Sequence, residues 1–210
     1  MDRFWEHSWE RVDPERVAEY VQSIDMEPDA LIGVLHRHGV KTVCDAGCGC
    51  GAYALKLAAN GFRVSGFDVS SRAVEIAQAL LERTALTAEL KTAGILSTGY
   101  ADGAFDAVIC RDVLDHLPRA EAAAGVRELC RITRPGGIVL VTLDALDEEY
   151  RTEPHCVNAD GDFVYTAGKW NGMVFHPYTA ETVRAILPAG VICEITDDGG
   201  ELTLLLAKNK

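Results

Sequence analysis

Three glycines at alternate positions, Gly47, Gly49 and Gly51, follow one acid, Asp45, and precede another, Asp68. Glycines in such a run let the backbone approach a ligand closely. The N-terminus of a following helix would add free N–H groups. Two chemistries use this kind of turn. A GxGxxG run seats a pyrophosphate on the helix end. Here the spacing is GxGxG. A carboxylate at Asp45 would repel pyrophosphate but suits a positively charged amino-acid group.

Other residues are chemically capable. His116 lies beyond the fourth predicted strand, where an imidazole can serve as a general base because it titrates near neutral pH. His155, His176 and Tyr178 flank a polar stretch and are candidates for contact with a substrate; singly, such residues more often hydrogen-bond locally. Asp112 and Asp144 close two strands and could offer carboxylates to magnesium, but no clear third ligand accompanies them. Cys44, Cys48 and Cys50 are spaced by three and one residues rather than as a CxxC pair, so no metal is expected and they read as small packing residues. Trp5, Trp9 and Trp170 are the only tryptophans. They either anchor the segments that carry them or form an aromatic wall.

These residues need elements to position them. Asp13-Pro14 reads as an N-cap with proline at the first helical position, for a helix to about Ser23. A second helix starts near Asp29 and stops at Gly39. Strands are expected over 40–46, 62–67, 86–92, 105–110 and 138–143. Helices are expected over 53–59, 73–81 and 118–132, with a turn at Pro135-Gly136-Gly137. Alternating strands and helices, with strands apolar on both faces, specify a mostly parallel sheet covered on both sides. Ligands in such sheets bind at the carboxyl ends of the strands. The pattern changes over 145–176, where turn signals at Asp160-Gly161-Asp162 and Asn171-Gly172 suggest an insertion of one or two hairpins. A helix over 179–187 and strands over 191–196 and 201–207 follow. The joint Asp197-Asp198-Gly199-Gly200 makes the last two strands antiparallel.

Composition bounds the function. The 210 residues suit one domain, 48% hydrophobic and 25% charged, which excludes a disordered chain or a fibre. Lys plus Arg number 20 against 32 Asp plus Glu, a net charge of −12. With no Lys/Arg run, nucleic acid is not an expected partner. No apolar run approaches ~18 residues, so no membrane partner is expected. Met1 to His7 has no apolar core of a signal peptide, and the odd count of seven cysteines points to reduced thiols and a cytoplasmic location.

Five stretches in order carry a resemblance: Val43-Cys44-Asp45-Ala46-Gly47-Cys48-Gly49-Cys50-Gly51, Gly66-Phe67-Asp68-Val69-Ser70, Phe105-Asp106-Ala107-Val108, Leu114-Asp115-His116-Leu117 and Arg134-Pro135-Gly136-Gly137. The chain resembles the class I S-adenosylmethionine-dependent methyltransferases, most closely their bacterial small-molecule enzymes, strongly over 40–144. The resemblance implies an α/β, Rossmann-like, seven-stranded, mostly parallel sheet with a C-terminal antiparallel pair and helices on both faces. It implies a helical leader or lid over 1–39 and a methyltransferase domain over 40–210 with an insertion at 145–176. It implies S-adenosylmethionine as cofactor and S-adenosylhomocysteine as its product. The loop Gly47, Cys48, Gly49 and Gly51 would underlie the methionine part beside Asp45. Asp68 would receive the ribose hydroxyls, Val69 would touch adenine, and the Arg111 backbone would touch the methionine part.

The chain departs from the family after the third strand, where Thr92-Ala93-Gly94-Ile95-Leu96 lacks the usual acid for the adenine amino group. Backbone atoms and apolar contact at Gly94 and Ile95, or a remote acid such as Asp102, would have to serve. Methyltransferases of protein and DNA nitrogens carry an Asn/Asp-Pro-Pro-aromatic motif where this chain has Arg111-Asp112-Val113-Leu114. The expected function is methyl transfer to a small molecule. A nicotinamide-dependent oxidoreductase and a non-catalytic cofactor-binding protein are the alternatives. The acceptor atom is open; Cys156 alone is poor support for a metalloid.

Overall fold

In the strand Thr42–Ala46, side chains alternate between two interiors: Val43 packs into one apolar cluster, and Cys44 and Ala46 into another. The strand Phe105–Arg111 divides likewise, Ala107 and Ile109 to one side and Val108 and Cys110 to the other. A period of two with apolar residues on both faces requires cover on both faces. The computed structural model, which describes residues 2–208, provides it.

In chain order the elements are α1 (Asp2–Glu10), α2 (Pro14–Ser23), α3 (Ala30–Arg37), β1 (Thr42–Ala46), α4 (Ala52–Ala59), β2 (Arg63–Asp68), α5 (Ser71–Glu82), β3 (Ala88–Thr92), β4 (Phe105–Arg111), a 3-10 turn (Leu114–His116), α6 (Arg119–Ile132) and β5 (Thr133–Asp144). Then come α7 (Glu148–Thr152), β6 (His155–Val157), β7 (Phe163–Tyr165), β8 (Val174–Phe175), a 3-10 segment (Thr182–Ile186), β9 (Ile192–Asp197) and β10 (Glu201–Ala207). The main sheet has the order β3-β2-β1-β4-β5-β10-β9. Its first five strands are parallel; β10 runs antiparallel to β5 and β9 antiparallel to β10. This is the expected Rossmann-like sheet. Strand order reverses between β1 and β4, which opens a crevice at their carboxyl ends.

The caps explain several boundaries. Asp13 accepts the Glu15 N–H at the start of α2, and Asp29 accepts the Ile32 N–H at the start of α3. Ser70 caps α5 by accepting the Ala73 N–H. Each such cap is worth about 1 kcal/mol.

Two expectations change and one gains detail. Within the helical leader expected over 1–39, the first residues form a helix of their own, α1. The helix expected over 179–187 is a 3-10 segment over Thr182–Ile186, ending before Pro188. The turn at Pro135-Gly136-Gly137 lies inside β5: the pairing steps from Phe105 with Thr133 to Ala107 with Ile138, so the extra residues bulge out while the strand continues.

The segment after β5 forms a separate antiparallel sheet in the order β6-β7-β8, both expected hairpins in succession. Its core of Tyr165, Met173 and Phe175 packs against Phe4 and Trp5 of α1. Among the described residues no helix is long and apolar enough to cross a membrane.

Gly51 adopts a left-handed φ of +81° and a Cβ there would lie 2.9 Å from the Ala77 Cβ of α5. A valine combines the backbone penalty with overpacking. Gly51→Val should cost about 2–4 kcal/mol in urea unfolding; a loss below ~0.5 kcal/mol would contradict this packing.

Candidate functional site

The carboxyl ends of β1, β2 and β4 surround a cavity of about 390 Å³. The glycine turn forms its floor. Gly47 and Cys48 both donate their N–H to the Phe67 carbonyl, at 2.8 and 3.0 Å. A Cβ on Gly47, whose φ is +76°, would run into the Val113 side chain. The turn therefore needs glycine there to lie this close to the β4 end.

Asp68 anchors the same turn. One carboxylate oxygen accepts the Gly49 N–H and the other the Ser70 N–H, each at 2.9 Å. A carboxylate has about four lone-pair sites, so both oxygens retain capacity toward the cavity. Burial raises the Asp68 carboxyl above its ordinary value, opposed by its backbone hydrogen bonds.

Asp45 is almost fully buried, and its Oδ2 has no hydrogen-bond partner. Burial first, and the nearby Asp68 charge second, push its carboxyl up to about 7. An unpartnered buried carboxylate is costly and favours a cationic or hydrogen-donating ligand. Arg111 does not neutralise it by contact: its guanidinium pairs with Glu201 at 3.1 Å and lies over the Tyr53 ring.

The cavity wall gathers most of the sequence-expected residues. Trp5, Trp9, Gly47, Gly49, Asp68, Val69, Gly94, Ile95, Arg111 and His116 all line it. Trp5 meets the His116 ring edge-on, with centroids 4.9 Å apart. The Trp9 ring lies against Gly49, 3.1 Å from where a Cβ would stand.

Others fall outside the wall. Asp45 sits behind the turn. The Cys48 side chain is buried in the core beneath the turn, and Gly51 packs on α5. His155 stacks on Phe163 and Trp170 packs on Tyr150, both within the small sheet's own core. His176 is buried and paired with buried Asp162 at 2.7 Å. Tyr178 packs on His176, and its hydroxyl has no partner. None of the four lines the cavity: His155 and Trp170 serve the inserted sheet's interior, His176 its attachment, and Tyr178 the core of the main sheet. Asp102, the remote acid considered for adenine, is exposed and paired with Arg131.

Sequence reasoning missed two features. Glu121 and Leu117 line the cavity beside Ile95 and Leu96; both lie after β4, while the search for an acid stopped near β3. The second is a cluster under His116. Ligand-capable atoms of Asp115, His116 and Asp144 lie within 4.8 Å of one another. Burial raises the Asp115 carboxyl to about 6. One Asp115 oxygen accepts the Asp144 N–H, and the other, like His116 Nδ1, has no partner. Asp144 accepts the Tyr150 hydroxyl at 2.9 Å. Asp112 instead takes the Thr142 hydroxyl at 2.6 Å, at a left-handed φ of 53°. The fold thus assembles Asp144 with Asp115 and His116 rather than with Asp112 alone. The adjacent Asp115-His116 in the fourth of the resembling stretches was the available signal.

The family described as "Methyltransferase domain" matches residues 43–137. Over 90 residues the chain is 37% identical to a magnesium-protoporphyrin O-methyltransferase of Synechocystis sp., covering 43% of this chain and 39% of that protein. It is 31% identical over 152 residues to a ubiquinone biosynthesis O-methyltransferase of Sodalis glossinidius, covering 63% of this chain and 60% of that protein. The chain thus spans less than two thirds of either relative. A SAM-dependent methyltransferase structure from Methanosarcina mazei superposes with a TM-score of 0.70 at 20% identity, covering 89% of this chain and 99% of that one. The magnesium protoporphyrin IX methyltransferase of Synechocystis, solved with bound SAH, superposes at 0.62 with 22% identity, covering 91% and 83%. All five motifs fall inside the 43–137 stretch that is similar to the methyltransferase domain, and those at the glycine turn, the β2 end and the turn after β4 contribute residues that line the cavity.

Proposed function

We propose that this chain methylates an oxygen nucleophile on a small molecule, with S-adenosylmethionine in the cavity at the β1/β4 switch point. The observation that carries this reading is the pair of buried strand-end carboxylates, one of them with an unpartnered oxygen. Asp45 meets the cofactor's ammonium group, and Asp68 receives the ribose hydroxyls on the lone pairs its backbone bonds leave free. Gly47 and Gly49 let the methionine part lie on the turn, with Val69 and Ile95 against adenine. When bound, the cofactor supplies a sulfonium-activated methyl that an acceptor displaces in line.

The rest of the work belongs to the protein. His116 takes the acceptor's proton as its oxygen forms the new bond to carbon. Trp5 excludes water above it, and the aromatic side chains of Tyr150 and Phe175, stacked at 3.9 Å, hold the wall behind it. The leader (1–39) and the insertion (145–176) act together as the cover. The oxygen acceptor is supported by the names of the relatives, both O-methyltransferases. The net charge of −12 argues against a nucleic-acid substrate, and the odd thiol count favours a cytoplasmic setting. The nicotinamide and non-catalytic alternatives are not favoured by these relatives.

Calorimetry with S-adenosylhomocysteine should give a Kd below about 100 μM; no heat at ~1 mM overturns the reading. Asp68→Asn should weaken binding at least about tenfold, with an unchanged circular dichroism spectrum as the folding control. His116→Ala should leave that affinity within ~3-fold but lower kcat by about 10²-fold; an unchanged kcat removes the base.

Asp45 carries a pH signature. Its carboxyl is raised to about 7 in the fold against about 3.9 in an unfolded chain. The ligand-free fold therefore binds the extra proton between those values, and stability falls as pH rises through that window. Asp45→Asn should flatten this slope and stabilise the ligand-free protein at pH 8 by on the order of 1–3 kcal/mol, while weakening cofactor binding. Urea melts from pH 5 to 8 check it; an unchanged slope contradicts the assignment.

A further inference from the structure

The segment after β3 lines the cavity with Ile95, Leu96 and Ser97, and Leu117 and, from α6, Glu121 line it as well. Glu121 is the one ionisable side chain among these five. The position of Glu121 is fixed by packing. It lies one turn before Gly125 on the same helix face. Gly125 is where α6 meets the loop: a Cβ there would come within 3.5 Å of Ile95 and 3.1 Å of Leu114. The face that carries Glu121 is therefore held against Ile95.

Among the described residues, no hydrogen bond or ion pair engages the Glu121 carboxylate, although the residue is only partly exposed. A carboxylate at a cavity wall with no protein partner is free to accept from a donor that enters the cavity. A first-turn glutamate also complements the helix dipole. That role alone predicts a change in stability and no change in ligand selectivity.

Resting on the cofactor reading above, we propose that Glu121 is the adenine-selecting residue of this chain. Its carboxylate accepts a hydrogen bond from the exocyclic amino group, the work that no acid after β3 can do here because Thr92-Ala93-Gly94-Ile95-Leu96 contains none. The acceptor comes from α6 and not from the strand end. A carboxylate cannot donate, so it rejects a purine that carries a carbonyl oxygen in place of the amino group.

The test compares S-adenosylhomocysteine with S-inosylhomocysteine, in which that amino group is a carbonyl, on the wild type and on Glu121→Gln and Glu121→Ala. The wild type should favour the adenosyl compound by about tenfold or more. Both variants should bring the ratio within about threefold. In Glu121→Gln the amide N–H can donate to the carbonyl, so the inosyl compound should gain affinity. Thermal melts establish that both variants are folded, and the isosteric glutamine preserves the helix start. An unchanged ratio in folded variants that still bind the adenosyl compound overturns the proposal and leaves the cofactor reading standing. A wild type that binds neither compound overturns both.

Discussion

One carboxylate holds the cavity in shape. Asp68 ends β2 and ties down two backbone N–H groups, at Gly49 in the glycine turn and at Ser70 before α5. The Phe67 carbonyl, one residue earlier, takes two more from Gly47 and Cys48. The turn leaves β1, yet β2 sets its path. Charge-assisted bonds to backbone N–H groups are among the stronger ones a protein makes. Their cost is visible next door. Asp68 adds to the burial that raises the Asp45 carboxyl. The geometry that shapes the turn therefore also leaves the cleft short of positive charge.

The cover is tied to this frame at several points. Glu6 of α1 accepts the Ser71 hydroxyl at the head of α5. The His176 N–H donates to the Asp115 carbonyl at 2.6 Å, attaching the inserted sheet to the 3-10 turn after β4. Phe4 and Trp5 complete the small sheet's core, while Trp5 also meets His116. α1 thus spans two structures, and a shift of Trp5 must disturb both. Sheet and helix cannot move independently without exposing large aromatic surfaces, each worth several times thermal energy.

The central sheet was legible in the sequence because its signals are local. Caps such as Asp13 and Asp29, β-branched runs and paired turn residues each specify one element. α1 was not legible: in Asp2–Glu10 charged residues outnumber large apolar ones, and the contacts of Phe4, Trp5 and Trp9 lie far along the chain. The same division holds at the site. Asp45, Asp68 and the glycines follow one another in motif order. Glu121 reaches the cavity only because Gly125 admits Ile95 against α6, a tertiary contact without a sequence signature. His155, Trp170, His176 and Tyr178 stand out by residue type, and type alone does not distinguish a cavity wall from a packed interior.

Charge explains why so negative a cleft suits the proposed chemistry. In the proposed reading, Asp45 and Asp68 lie near a cofactor that carries two positive charges before methyl transfer, ammonium and sulfonium, and one afterwards. The attraction between these carboxylates and the ligand therefore weakens across the reaction, and in a partly desolvated cavity that loss is larger than it would be in water. Arg111 lines the same cavity, and its charge partly opposes the rise of the Asp45 carboxyl. Its guanidinium also pairs with Glu201 on β10 and lies over the Tyr53 ring. The antiparallel strand at the end of the chain thereby fixes a charge at the switch point. The Arg111–Glu201 pair links the end of β4 to β10 across the sheet.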